Sequence, residues 1–279
     1  MFRSVGIVAR YDRKQALRLS EDLAKFLRKK DLEVVMEDTL AGKINSEETF
    51  VPLKDMRTDL VVTIGGDGTI LRTCVTIPKP EPPILAINMG VRGFLTEVEP
   101  RGALGALEKC FKGEYKLEKC AKLAVTVLGE TIPDALNDVV VTTGEPSKIL
   151  YTQILKNNKR ILKCEADGLI ISTQTGSTGY SLSAGGPVLD PEINAFVLTP
   201  ICSLTVFHSI VFPADSSVTI EVTRPKKMMI MVDGNYRQLI ESKKPAVSIT
   251  KSENVTSFVR YQDDFYHRLR SRLLFRGTG

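Results

Sequence analysis

The sequence predicts an α/β fold in which an N-terminal doubly wound α/β domain is joined to a mostly β C-terminal domain. Three observations carry this expectation. Residues 5–36 read as strand, helix, strand; two near-continuous apolar runs follow at residues 60–64 and 83–87; and beyond Pro100 short β-rich runs, broken by turn residues, take over.

The elements follow in order. The opening run Val5-Gly6-Ile7-Val8 is apolar and stops at Arg10, too brief for a signal peptide or a membrane span, so it reads as a buried first strand. Residues 14–28 place Ala16, Leu19, Leu23, Phe26 and Leu27 at helical spacing, and residues 32–36 give the next strand. Leu60-Val61-Val62-Thr63-Ile64 lacks alternation, as expected of a parallel strand covered on both faces. A proline-rich loop then leads to Ile84-Leu85-Ala86-Ile87, and after Pro100 a helix over 102–111 gives way to the β-rich runs. The later strands are expected at 123–128, 138–143, 150–155, 169–172, 217–222, 228–232 and 246–249, with turns at Asn157-Asn158 and Asp233-Gly234-Asn235. A basic amphipathic helix over 265–275, with Arg268, Arg270, Arg272 and Arg276 on a solvated face, ends the chain. The expected domains are 1–97, with 257–279 packing back on it, and 98–256.

Composition narrows the function. In 279 residues, 43% hydrophobic and 25% charged, there is apolar material for one large core or two smaller ones. The net charge is 38 − 33 = +5, suited to an anionic small molecule and well short of a phosphate-backbone binder, so no nucleic-acid partner is expected, and no membrane partner either. Cys74, Cys110, Cys120, Cys164 and Cys202 are scattered without metal-ligand or disulfide spacing, which points to reduced thiols in a cytoplasmic setting. His208 and His267 sit in no catalytic or metal-binding spacing and read as structural or surface residues.

Three motifs carry the chemistry. Gly65-Gly66-Asp67-Gly68-Thr69 lies between a buried strand and a helical run, where glycines permit positive φ and let amides approach a phosphate at a helix N-terminus. Asp67 is the unusual member, because a carboxylate repels an anion unless it holds Mg²⁺ or accepts a proton from an attacking hydroxyl; as a plain turn residue it would cap the next helix. The loop is neither a Walker sequence nor a dinucleotide fingerprint, since Leu71 stands where the third glycine would be needed. The second motif runs from Asp167-Gly168 through Thr173-Gln174-Thr175-Gly176-Ser177-Thr178-Gly179-Tyr180-Ser181-Leu182-Ser183 to Gly185-Gly186-Pro187. Its dense hydroxyls suit a polyhydroxylated, partly aromatic ligand such as a nucleoside, or else satisfy their own backbone. The third, Asn137-Asp138 at a strand edge, can read a base edge and chelate ribose hydroxyls, or simply form a turn.

Together these pieces resemble the NAD kinase family over nearly the whole chain. The glycine–aspartate loop alone is shared with diacylglycerol and sphingosine kinases; the stretch from Asp167 to Pro187 discriminates. Asn88-Met89-Gly90-Val91-Arg92-Gly93-Phe94-Leu95 is similar to the family's Gly-x-x-Gly-Phe-Leu turn, whose phenylalanine borders the substrate pocket. The resemblance implies Asp67 as the base that takes the ribose 2′-hydroxyl proton, with Gly65, Gly66, Gly68 and Thr69 around phosphate. It implies that Asn137 and Asp138 hold the adenosine half of NAD, and that Asp167, Thr175, Thr178, Gly179, Tyr180, Ser181, Leu182 and Ser183 line the substrate pocket. Arg72 and Lys148 would meet phosphates. Mg²⁺ or another divalent metal, ATP or polyphosphate as donor, and a homo-oligomer (dimer or tetramer) complete the expectation; the metal ligands are not assigned. Gln174, Gly179 and Asn235 depart from the usual residues without reversing a chemical requirement. Glu165 stands where many members carry arginine and Ser203-Leu204 where Pro-His is frequent, so those contacts are not transferred, and Lys163 is left open as a replacement charge.

Two competing readings are a lipid kinase on the same loop, disfavoured by the hydroxyl-rich 173–183 segment, and a non-catalytic NAD/NADP sensor, disfavoured by Asp67. The NAD kinase reading requires folding to bring the Asp67 carboxylate beside that hydroxyl-bearing segment.

Overall fold

The structure is a computed structural model that describes residues 2–90, 93–145, 147–262 and 265–273. The chain divides into two compact units, one made of residues 1–120 and 256–279, the other of residues 121–255. The first boundary lies beyond the expected 97 because the helix that follows Pro100 contributes Ala103, Ala106, Leu107 and Cys110 to the core of the first unit.

In the first unit β1 (Ser4–Ala9), α1 (Lys14–Arg28), β2 (Glu33–Glu37), β3 (Thr49–Val51), β4 (Leu60–Gly65), α2 (Asp67–Thr76), β5 (Ile84–Asn88) and α3 (Ala103–Phe111) follow one another. The strands pair in the order β5-β4-β1-β2-β3, all parallel. The order reverses at β1/β4, the switch point at whose carboxyl edge open α/β sheets bind their ligands. Alternate strand residues, Val5, Ile7, Leu60, Val62, Ile64, Leu85 and Ile87, form one core with Ala16, Leu23 and Leu27 of α1 and with α3. The hydrophobic runs of β4 and β5 are therefore continuous because a strand buried on both faces has no solvent side to mark with polar residues. The three-residue β3 escapes the sequence pattern by its brevity.

The second unit takes in most of β6 (Lys116–Val127), then β7 (Glu130–Ala135), β8 (Asp138–Thr143), β9 (Leu150–Lys156), β10 (Lys159–Ala166), β11 (Gly168–Ser172), the one-turn α4 (Tyr180–Ser183), β12 (Ala195–Ile201) and β13 (Ile210–Pro213). It continues through β14 (Val218–Arg224), β15 (Lys227–Val232), β16 (Tyr236–Glu241) and the start of β17 (Ala246–Arg260). One antiparallel sheet runs β13-β12-β11-β8-β15-β16, and β10-β9-β14-β17 pair in a second antiparallel set. Positive φ at Asn157, Asn158, Asp233 and Gly234 closes the hairpins β9–β10 and β15–β16 at the turns the sequence marks.

The expected list of strands lacked β7, β10, β12, β13 and β16. β10 and β16 are charged and largely exposed, and β12 carries Pro200, which argues against a strand when read alone. Back in the first unit, the end of β17 lies parallel to β5 through Phe258 and Ile84. The last helix, α5, spans Phe265–Leu273, and residues 274 and 275 of its expected span lie outside the described residues.

Candidate active site

In the first unit, β4 ends at Gly65 and α2 begins at Asp67, so the glycine loop sits at the carboxyl edge of the sheet, where the first-turn amides of a ten-residue helix point outward. None of its glycines has positive φ, contrary to expectation; Gly66 is extended at φ −110°, ψ −170°. The loop needs glycine for space instead. A Cβ on Gly65 would overlap the Thr69 hydroxyl, whereas one on Gly66 or Gly68 would meet no atom of the described residues within 4 Å, so among these residues the missing side chains leave backbone uncovered.

Asp67 does not cap α2: no side-chain cap bond forms there. Its carboxylate turns to the segment after β5 and accepts the N–H of Phe94 at 3.0 Å and of Leu95 at 3.1 Å. Gly93 permits this, because a Cβ there would collide with the Asp67 carboxyl group. The first-motif aspartate and the Gly-Phe-Leu turn are thus one construction. Phe94 is buried with its ring 6.3 Å from that of Phe265, and Val91 and Arg92 lie outside the described residues.

Arg72 does not stand ready for phosphate as expected. Glu37, 1% exposed at the end of β2, takes its guanidinium through both carboxylate oxygens, Nη2 to Oε2 at 2.8 Å. This bidentate pair raises the arginine's pKa and neutralises much of its charge. Lys148, in the second unit, is exposed and pairs with Glu145.

The other two motifs meet within the second unit. Thr173 donates its hydroxyl to the Leu136 carbonyl at 2.6 Å and its N–H to the Asn137 carbonyl at 2.9 Å. Gly176 packs so closely on the Asn137 backbone that any Cβ would overlap it. The hydroxyls of the long segment divide accordingly. Ser177 bonds to the Gln174 carbonyl, Thr178 to the Thr175 carbonyl, and Ser181 to Thr199, so these satisfy the fold itself. Tyr180 and Ser183 are exposed, Thr175, Gly179 and Leu182 half-buried, and Asp167 is exposed at the β10–β11 turn. Asn137 keeps a buried Oδ1 with no hydrogen-bond partner among the described residues, an acceptor that a ligand donor would satisfy.

The residue the sequence undervalued is Asp233, marked there as part of a turn and of a string similar to the family's, with no role assigned to it. Its carboxylate accepts three successive amides, Leu136 and Asn137 at 2.7 Å and Asp138 at 3.0 Å, which fixes the Asn137-Asp138 turn. Burial pushes Asp233 up to about 6 against the pull of those amides and of the buried Lys122. Asp138, buried and facing Asp233, is pushed up to about 7 by burial first and by its neighbour's charge second. No pattern in the sequence joins positions 95 to 97 residues apart, so only folding reveals this support.

No group of three or more His, Cys, Asp or Glu side chains able to hold a metal occurs among the described residues. That donor set fits a Mg²⁺ held chiefly by phosphate oxygens and water, with Asp67 the one carboxylate at the loop.

A parallel sheet with a glycine–aspartate loop at its switch point, followed in the chain by a β unit carrying a hydroxyl-rich turn, places the protein among the glycine–aspartate-loop kinases. Residues 5–115 match the ATP-NAD kinase N-terminal domain and residues 136–261 the ATP-NAD kinase C-terminal domain. The chain is 39% identical over 273 residues to the NAD kinase of Methanothermobacter thermautotrophicus, covering 97% of this chain and 96% of that one. It is 40% identical over 265 residues to the NAD kinase of Thermococcus sibiricus, with 94% and 95% covered. Among solved structures, an NAD kinase from Archaeoglobus fulgidus in complex with ATP superposes with a TM-score of 0.78 at 26% identity, over 96% of this chain and 99% of that one. Yeast NADH kinase complexed with NADH shares the fold, with a TM-score of 0.89 at 23% identity over 99% and 89% of the two chains. The chain belongs to the NAD kinase family.

Proposed function

We propose that the protein transfers the γ-phosphoryl group of ATP to the 2′-hydroxyl of the adenosine ribose of NAD, forming NADP and ADP, with Asp67 as the general base. One observation supports the base above all: a carboxylate held by two backbone amides at the start of a helix, between two glycines whose added Cβ would meet no atom of the described residues within 4 Å. So fixed, it takes the hydroxyl proton as the oxygen attacks phosphorus and the bond to the leaving ADP breaks. The amides of 65–69 and the α2 N-terminus stabilise the phosphoryl charge, and a Mg²⁺ held near Asp67 would supply further neutralisation. Asn137 and Asp138 bind the adenosine half, with Asp167, Thr175, Gly179, Tyr180 and Ser183 around the dinucleotide. Thr178, Ser181 and Leu182 serve by shaping that segment. Arg72, already paired with Glu37, tunes the loop's charge more than it clamps phosphate.

Exposed Leu204 and Val206 suit burial against a second copy in a homo-oligomer, which sedimentation would reveal. The scattered spacing of the cysteines suits a reducing cytoplasm. No helix among the described residues is long and apolar enough to cross a membrane.

The test is NADP formation from NAD with ATP or polyphosphate and Mg²⁺, alongside diacylglycerol as acceptor. Asp67→Asn lowers kcat by about 10²- to 10⁴-fold, with NAD binding by calorimetry preserved. Turnover near that of the wild type would remove Asp67 from the chemistry, and phosphorylation of the lipid would overturn the substrate assignment.

A further inference from the structure

The segment that orients Asp67 is itself held from a point far along the chain. Phe94 and Leu95 give their amides to Asp67, and the Leu95 carbonyl accepts from Arg260 Nη1 at 2.9 Å. The same nitrogen reaches Glu97 at 3.1 Å, while Arg260 Nε donates to Glu118 at 2.6 Å. Glu97 also accepts the Tyr261 N–H at 2.8 Å and pairs with Arg268 at 3.6 Å. Arg260 and Glu97 are both almost fully buried, so the pair between them is little screened by solvent, whereas Glu118 is about a third exposed.

Backbone bonds from Glu97 and Val98 to the Ala86 carbonyl and from Asn88 to the Val98 carbonyl tie the far end of this segment to β5, which leaves the stretch nearer Asp67 to its side-chain and Arg260 contacts. Gly93, Thr96, Glu97, Val98 and Glu99 border a cavity of about 500 Å³ in the first unit. Where a backbone faces open volume on one side, polar anchors decide where it lies. A base displaced by even about 1 Å loses on the order of 10²-fold in rate.

We propose that Arg260 is a positioning residue for phosphoryl transfer: by gripping the Leu95 carbonyl and Glu97 it fixes the two amides that aim the Asp67 carboxylate. The inference rests on Asp67 being the base, and the experiment separates the two. Arg260→Met lowers kcat at least tenfold while the KM values for NAD and ATP stay within about threefold, and Arg260→Lys recovers part of the loss. Because Arg260→Met leaves Glu97 short of a partner, the double variant Arg260→Met/Glu97→Gln provides a neutral, folded control with the same kcat defect. Each change is then repeated in the Asp67→Asn background, with single-turnover assays at high enzyme concentration. There the Arg260 substitution has no further effect if it acts through Asp67. An undiminished loss in that background, or a folded Arg260 variant with unchanged kcat, overturns the clamp and leaves the base intact. Full turnover by Asp67→Asn alone overturns the base itself, and the clamp with it.

Discussion

At the scale of single residues, the site is built from carboxylates whose surroundings give them different work. Asp67 meets two amides and lies on a helix N-terminus; Asp233 meets three amides and stays buried; Asp138 is buried beside Asp233 with no comparable set of donors. The proton shared by the buried pair therefore belongs on Asp138, pushed up to about 7. The sign for stability follows. An unfolded Asp ionises near its ordinary 3.8, so between that pH and about 7 the unfolded chain binds fewer protons than the native one. Stability falls across this window as pH rises and levels off above it, by an amount on the order of a few kcal/mol at most. Thermal denaturation of Asp138→Asn between pH 4 and 8 checks this: the variant loses the part of the slope that Asp138 carries, chiefly its upper end, while Asp233, itself pushed up to about 6, keeps the remainder, and an unchanged slope would assign the effect to another group. The sequence exposed Asp67 and Asp138 through their neighbours in the motif, but Asp233, Glu37 and Arg260 have no local signature, because their partners are distant in the chain.

At the scale of elements, the useful contrast is between glycines that open backbone to a ligand and glycines that let two segments touch. Gly66 and Gly68 belong to the first kind; Gly93 and Gly176 belong to the second, one against the Asp67 carboxyl, the other against Asn137. Gly176 joins the hydroxyl-rich turn after β11 to the turn before β8, and the Thr173 bonds to Leu136 and Asn137 reinforce the seam. Gly176→Ala must part those turns. The expected cost is about 1–3 kcal/mol from overpacking, together with a KM for NAD raised at least fivefold. Urea denaturation and initial-rate kinetics measure the two effects; a normal KM in a destabilised variant would show that the seam supports folding only. The hydroxyl count alone misled here, since Ser177, Thr178 and Ser181 spend their bonds internally. A serine's composition value is the same whether it faces ligand or backbone.

At the scale of the molecule, the chain leaves its first unit near Cys120 and re-enters it at Thr256. Phe258, fully buried beside β5, and Arg260, two residues on, anchor that return. Removing the Phe258 ring should cost about 3–5 kcal/mol, the usual toll for a large aromatic in a core. Chemical denaturation of Phe258→Ala tests it, and a loss under about 1 kcal/mol would mean that the returning strand contributes little to the first unit. The substrate assignment also belongs to this scale, because the family match covers both units and the glycine–aspartate loop of the first unit does not by itself distinguish a dinucleotide kinase from its lipid-directed counterparts.

What the sequence determined by itself was local in origin: the parallel core strands from unbroken apolar runs, the hairpins from Asn-Asn and Asp-Gly, and the catalytic candidate from a carboxylate among glycines. These depend on neighbours within a few positions, where period and turn chemistry act directly. Tertiary structure decided the partners: which amides hold Asp67, that Glu37 occupies Arg72, that Asp233 supports the Asn137-Asp138 turn, and that strands such as β10 and β16 find a sheet. The side-chain bonds among those outcomes reach across about thirty to nearly a hundred residues, and a hydrogen bond made at that separation leaves no periodic trace in the order of the amino acids.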